Sequence, residues 1–429
     1  MSPLTSYKCR KSMANPTTFH GVWWVPEEHP FLEKRFSGTL TYYGDKNSIL
    51  ELIHEPKSGA IRIDHSYDVL WGEDAEGGVY SLFGVTARNM SFTKFEFVIR
   101  FILIGTHVKS LDDACFDTCL VKYPYLNHWA LDNRIHGGAS QNQTLISLDL
   151  GARPPFFSTE IVEGLRVMLW GQLTDNINRF SIRADQVTNL NIDTVQNTSL
   201  NTFLKTISEF SQFLSIALFA EQHPSEVIFA NKGERFKYQL LFKTNPSSEP
   251  FVQSLIKFDA LKQRVGDFLH KWHASFDRSY LISHYLIRSL SERKDVFDVP
   301  DFLTIAQAVD GYYKRFVNHK DGKDTRQYKQ QLDKLIKKFK GVDVIKHCNI
   351  DSEVLTQTRD KYSHLIPDED AKINHAVEDG EPLYWLTQKC IVLLTCCILD
   401  MLGLTTDEIN LCCSGAPVEQ ITNSIPSWF

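Results

Sequence analysis

The chain holds nine cysteines but no C-x-x-C pair. Zinc sites usually show spaced cysteine pairs with histidines nearby. The cluster Cys390, Cys396, Cys397, Cys412 and Cys413 therefore reads as buried core thiols, and no metal or cofactor site is expected. Long apolar runs are also missing. The longest, Cys390 to Leu404, is interrupted by Asp400 and is too short to span a bilayer, so it reads as a buried helix. Met1 to Asn15 is polar and lacks the apolar stretch of a signal peptide. Reduced thiols, a cytoplasmic location and no membrane contact follow as expectations. Gly72 to Gly78 lacks the Lys-Ser/Thr ending of a phosphate-binding P-loop. Glu27-Glu28-His29 and Asp112-Asp113 have no partner at fixed spacing and read as loop polarity. Excess positive charge is absent too: the net charge is −6, so any nucleic-acid contact must be a local basic patch. There is no internal repeat and no low-complexity segment.

What is present falls into two textures, as 429 residues allow. From about Phe19 to Asn191 short strands alternate with turns. Phe36 to Tyr43 alternates, Gly44-Asp45-Lys46-Asn47 is a turn, and Ser48 to His54 is the next strand. Val79–Thr86, Phe95–Ile104, Thr144–Leu150 and Arg179–Arg183 read as further strands, with loops at Gly72–Gly78 and Gly137–Asn142. This spacing suggests an antiparallel sandwich or barrel, with Trp23, Trp24, Trp71, Trp129 and Trp170 as bulky core or groove surface. Thr202 to Glu221 reads as a helix. Glu226–Ala230 and Glu234–Lys243 form a hairpin.

After the linker-like Asn245-Pro246-Ser247-Ser248-Glu249-Pro250, nearly everything reads as helix. Phe302, Ile305, Ala306, Val309, Tyr313 and Phe316 recur at helical spacing, with Pro300 in the first turn. Leu332, Leu335, Ile336 and Phe339 form a second stripe. Val354, Leu355, Thr358, Tyr362 and Leu365 form a third, capped by Asp351 or Ser352. Pro367 disfavours helix at Ile366, so this helix should end near His364 or Leu365. Pro382 to Leu402 is apolar almost all round, hence central. Four helices with short connections suggest an up-and-down bundle. The fold class expected is α+β: an antiparallel β-rich, sandwich-like N-terminal domain over 15–245 and a helical region over 251–429, whose core spans about 297–429.

The third helix carries Arg359 and His364 with four residues between them. Histidine moves protons near neutral pH, and arginine holds phosphate as charge builds on it. Cleavage of RNA by its own 2′-OH needs both services and no metal. His364, near a helix C-terminus, suits acid or base steps. Arg359 cannot titrate usefully and suits a phosphate clamp. Five positions place the two side chains roughly 140° apart on a straight helix. They converge only if the helix end redirects His364, or if two copies pack about a two-fold axis.

Gly311 to Lys346 holds eleven Lys/Arg against four Asp, a balance of +7. This segment, with Lys334, Lys337 and Lys338, is a candidate for tracking an RNA backbone. Within Asp310-Gly311-Tyr312-Tyr313-Lys314-Arg315, Asp310 and Lys314 stand four apart and pair on one helix face.

Together these residues resemble the HEPN superfamily, whose nucleases carry R-x4-6-H at the end of a helix in a four- to five-helix bundle. Asp360 directly after Arg359 is similar to the polar residue common there. Asp310–Arg315 is similar to an acidic-x3-Lys-Arg motif of some branches, with Asp for the usual Glu. Ile305–Asp310 looks like the opening helix of the Apea-like HEPN group. Phe19-His20-Gly21-Val22-Trp23-Trp24-Val25-Pro26 and Phe36-Ser37-Gly38-Thr39-Leu40 look like the start of the β-rich domain joined to it. The resemblance implies a metal-independent endoribonuclease acting on RNA, with tRNA as target, as a homodimer or higher even oligomer. It implies a toxin-like role in bacterial abortive infection, with the N-terminal domain sensing a phage component or restraining the nuclease. Arg359 and His364 would be catalytic, with Asp310, Lys314, Arg315 and Asp360 in support. The alternative is a non-catalytic adaptor, a β-sandwich recognition module carried on a helical dimerisation module.

Overall fold

Alternating apolar and polar residues close the N-terminal strands into a barrel in the computed structural model, which describes residues 16–26, 35–53, 65–91, 94–132, 135–140, 143–148, 153–177, 182–235, 237–291, 298–318, 327–368 and 370–426. The chain divides into two compact units. The first comprises Met1–Leu120, Gln196–Phe203 and Ser225–Pro246, and the second Val121–Val195, Leu204–Pro224 and Ser247–Phe429.

The first unit contains β1 (Thr17–Trp24), β2 (Phe36–Tyr42), β3 (Ser48–Ile53), β4 (Ser66–Asp74), β5 (Val79–Met90), β6 (Lys94–Ile99) and β7 (Phe101–Ile104). Six of these close on themselves in the order β5-β4-β1-β2-β3-β6, and β6 returns to β5. Closure removes the free sheet edges. Along β2 and β3 every second residue is buried, as a strand with one face in a core requires. Trp23, Leu40, Leu50, Leu82 and Val85 are fully enclosed in the barrel core. Gly72 admits the indole of Trp23, since a Cβ there would stand 2.0 Å from Trp23 Cε3. The turn expected at Gly44–Asn47 joins β2 to β3, with Gly44 in the left-handed region at φ 74°.

The run Phe95–Ile104, read as one strand, is two. It breaks at Arg100 because β5 changes partner: Tyr80–Phe83 pair with β7, and Thr86–Met90 pair with β6. Beyond β7 lie the extra strands of the predicted hairpin, which follow β8 (Cys115–Lys122), α1 (Leu126–Trp129), β9 (Ile135–Ser140), β10 (Gln143–Leu148), β11 (Phe157–Val162), β12 (Leu165–Ile177), β13 (Ile182–Ser199) and α2 (Leu200–Leu218) in the chain. They are β14 (Glu226–Ala230) and β15 (Tyr238–Phe242).

In the second unit β9 and β10 form a hairpin, and β12 pairs with β11 on one side and with the Ile182–Thr194 part of β13 on the other. Gly137 and Gly138, expected in a loop, pair with Ile146 and Leu145 inside β9. Cross-strand pairing satisfies their backbone groups and overrides the local turn signal. The end of that expected loop, Gln141-Asn142, lies outside the described residues, as do Met1–Asn15, Glu27-Glu28-His29 and residues 179–181. Trp129 packs edge-on against Phe213 and Phe258, and its Nε1 donates to the Ile256 carbonyl at 3.0 Å.

The helical part begins with α3 (Phe258–Ser291) and continues through α4 (Val299–Tyr312), α5 (Tyr328–Lys338), α6 (Asp343–Cys348), α7 (Ser352–His364), α8 (Glu381–Met401), α9 (Thr406–Cys413) and α10 (Pro417–Ser424). The four expected helices are α4, α5, α7 and α8. Asp298 caps α4 in a reciprocal box with Asp301, and Pro300 stands in the first turn. α8 packs on α4, α3 on both, and α7 on α4 and α5. α8 is the one helix among the described residues long and apolar enough to cross a membrane, and 83% of that apolar window is buried inside the protein. Cys390, Cys396 and Cys397 on α8, with Cys412 and Cys413, are buried free thiols. Burial pushes Cys412 up to about 12.

Candidate functional site

The site is built on α7. Asp351 caps its start, accepting from the Glu353 and Val354 amides at 2.8 and 3.3 Å. The helix runs unbroken to His364, and Leu365 ends it in the left-handed region at φ 51°. The Leu365 and Ile366 amides both return to the Lys361 carbonyl, closing the C-terminus. Leu365, expected in the apolar stripe, is 85% exposed. The left-handed cap turns its side chain off the buried face. Lys361 takes a buried place beside Leu355 and Thr358 instead.

Arg359 is half-buried, with its guanidinium 4.6 Å from the Tyr328 ring centroid. Its Nη1 donates to Asp360 Oδ1 at 3.2 Å. Tyr328 opens α5 and donates its hydroxyl to the Ala306 carbonyl of α4 at 3.2 Å. One turn on from Ala306, Asp310 accepts from Lys314 Nζ at 2.7 Å through Oδ2, while its buried Oδ1 has no partner among the described residues. Burial first, then Cys390, Asp310 and Asp360, push the Tyr328 phenol well above its ordinary range, and only Arg359 opposes them. Asp310, Tyr328, Arg359 and Asp360 are thus one electrostatic neighbourhood assembled from three helices.

His364 stands apart from this group. It is exposed at the last position of α7 and makes no hydrogen bond or ion pair among the described residues. The unbroken helix keeps it about 140° round from Arg359. Arg315 is also elsewhere. It lies in a π-turn, Tyr313–Val317, that replaces the expected last turn of α4. There its Nη1 donates to the Arg278 carbonyl of α3 at 2.7 Å.

The segment after His364 folds back along α7. Val377 N donates to Thr358 Oγ1 at 3.0 Å, His375 N to Gln357 Oε1 at 2.7 Å, and Tyr362 Oη to the Val377 carbonyl at 3.2 Å. Lys361 Nζ reaches Asp368 at 2.7 Å and Glu378 at 3.0 Å. Asp368 above all, then Glu378, hold its ammonium above the ordinary lysine value, against the effect of burial. Lys361 is not among the residues the sequence singles out; its signal there is a lysine three positions after Thr358, with acids downstream.

The basic segment is less free than its count suggests. Lys338 Nζ binds Asp400 Oδ2 at 2.6 Å, and the buried Tyr312 hydroxyl donates to the same oxygen. Lys329 pairs with Glu353, and Lys346 with Asp343 at 2.8 Å. Lys334 lies 6.0 Å from the Tyr313 ring. Lys334, Lys337 and Lys340 are exposed and make no ion pair among the described residues. Lys320, Lys323 and Arg326 lie outside the described residues. No group of His, Cys, Asp and Glu able to hold a metal occurs among the described residues.

Comparison with known proteins gives two family matches. Residues 18–272 match the family described as ApeA N-terminal domain 1, and residues 303–408 match Apea-like HEPN. No curated protein and no solved structure matches the chain.

Proposed function

We propose a function from one premise: the chain belongs to the ApeA family and carries an Apea-like HEPN domain. At the level of the family this is a nuclease-type role in abortive infection. The finer reading is a metal-independent endoribonuclease of bacterial anti-phage defence, acting in the cytoplasm with tRNA as its target. In it a ribose 2′-OH attacks the adjacent phosphate. The products are a 2′,3′-cyclic phosphate and a 5′-OH. His364 moves the proton, taking it from the 2′-OH or giving it to the leaving 5′-oxygen. Arg359 neutralises the nonbridging oxygens. Asp310 and Asp360 hold the charge balance around Arg359, and Lys314 holds Asp310. Lys334 and Lys337, exposed and without an ion pair among the described residues, follow the RNA backbone, while Lys338 is held by Asp400 and Arg315 by the Arg278 carbonyl.

The observation that carries this reading is the single helix α7. It holds Arg359 stacked on Tyr328 and presents His364, exposed, at its end. Because one straight helix sets the two side chains far apart in angle, the reading requires two copies. A homodimer or higher even oligomer brings the arginine of one helix to the histidine of the other. The N-terminal part, residues 15–245, senses a phage protein or restrains the nuclease at 251–429, whose core is about 297–429.

The test incubates the purified protein with total tRNA in EDTA, beside His364→Ala and Arg359→Ala. Cleavage by the wild type alone supports the reading. Cleavage that persists in both variants, or that needs a divalent metal, overturns it. If no protein cleaves in vitro, growth arrest on expression is compared, and arrest that survives His364→Ala overturns it equally.

A further inference from the structure

The break between β6 and β7 opens a cleft in the first unit. It has a volume of about 550 Å³, within the range of small-molecule sites. The cleft lies where β5 changes partner. Its walls include Asn47, Thr86, Arg100, Phe101, Phe242 and Lys243. Gly84, at φ 61°, lets the Arg100 side chain lie across it, since a Cβ at Gly84 would stand 2.9 Å from Arg100 Cβ.

Three features converge here. First, Arg100 and Lys243 are both exposed and neither makes an ion pair among the described residues. No carboxylate is among the described lining residues, and Arg100 and Lys243 make the cleft electropositive, which disfavours a cationic ligand. Second, Phe101 and Phe242 are half-buried cross-strand partners with ring centroids 6.0 Å apart, and they give the cleft an aromatic floor. The Arg100 guanidinium lies 5.3 Å from the Phe101 centroid. Third, the Thr86 hydroxyl and the Asn47 amide are exposed at the rim and can donate and accept. A ligand that uses all three is an anion joined to a planar ring with polar edges.

We propose that this cleft binds a nucleoside phosphate. Arg100 and Lys243 take the phosphate, Phe101 and Phe242 stack the base, and Thr86 and Asn47 bond to the sugar or the base edge. The same chemistry is offered by a free nucleotide and by one residue of single-stranded RNA. The proposal is independent of the nuclease reading, because it concerns binding in the other unit.

The experiment measures binding of each of the four ribonucleoside 5′-monophosphates, adenosine, inorganic phosphate and a short single-stranded RNA oligonucleotide. It uses the full-length protein, His364→Ala, Arg100→Ala, Lys243→Ala and Phe101→Leu. Wild type and His364→Ala should bind alike. Arg100→Ala and Lys243→Ala should each weaken nucleotide binding about tenfold, the loss of one charge-assisted bond. Phe101→Leu should lower the preference for nucleotide over inorganic phosphate. A free nucleotide as ligand gives mononucleotide affinity that matches or exceeds that of RNA, whereas RNA as source gives the reverse, and in either case Arg100→Ala weakens the mononucleotide about tenfold. Failure of every monophosphate and of the oligonucleotide to bind the wild type overturns the proposal. So does equal binding by the wild type, Arg100→Ala and Lys243→Ala.

Discussion

The basic run of the helical part and the cleft of the first unit use their cations differently. In the helical part the sequence concentrates eleven Lys/Arg between Gly311 and Lys346, yet Lys314, Lys329, Lys338 and Lys346 are all paired with carboxylates. In the first unit, Arg100 and Lys243 are 143 residues apart in the chain, yet both line one cleft and neither is paired among the described residues. A charge run on helices tends to find acids one turn away or on the next helix. Arg100, beside the strand break, has no such neighbour among the described residues. Density of charge in the sequence is therefore a weak guide to charge available for a ligand.

The largest effect expected is on cleavage. His364→Ala should lower the RNA cleavage rate about a thousandfold, as loss of a general acid or base does. Arg100→Ala should leave the rate at saturating RNA unchanged. A comparable loss in Arg100→Ala would erase the distinction between the units. Next in size is Gly84→Ala, which forces a side chain into the left-handed region and against Arg100. It should cost about 1 kcal/mol or more in urea unfolding and displace Arg100 from the cleft. Unchanged stability would show that Arg100 moves away freely.

Lys338 and Lys337 separate paired from unpaired charge within one helix. Lys338→Ala should lower stability by about 0.5–1 kcal/mol, because Tyr312 and Asp400 lose their cation. Lys337→Ala should leave stability unchanged and reduce the salt slope of RNA binding by about one. Equal stability of the two variants would break the comparison.

The smallest effect concerns Glu209. It is 3% exposed, and its Oε2 meets His273 Nδ1 at 2.6 Å, with Lys205 at 3.9 Å and Asp277 also close. Burial raises its carboxyl above the ordinary value of 4.5, and His273 offsets this only in part. The folded chain thus holds that proton more tightly than the unfolded chain. The stability this adds is complete below pH 4.5 and is lost as pH rises through the folded value. Glu209→Gln should flatten that decline in melting temperature, and an unaltered pH profile would count against it.

Much of the fold was legible because it is periodic. β2, β3, α4, α7 and α8 follow from spacing alone, and Asp351, Pro300 and Pro367 mark helix ends by local backbone chemistry. Illegible features depended on partners. The Arg100 break needed β5 to change neighbours, and the strand at Gly137-Gly138 needed β10. Around the candidate site, the Arg359–Asp360 neighbourhood, the Asp310–Lys314 pair and the end of the helix at His364 were readable at short range. The stacking of Arg359 on Tyr328, the burial of Lys361 and the pairing of Lys338 with Asp400 were not.

By itself the sequence determined that a strand-rich part precedes a helical one, the capping of α7, and the angular separation of Arg359 from His364. Each follows from interactions within a few residues, where covalent geometry fixes the outcome. Only the tertiary structure decided that the strands close into a barrel, which cations are neutralised, and where a cleft opens. Those depend on groups far apart in the chain that meet only when the core is packed, and burial then sets the worth of each charge.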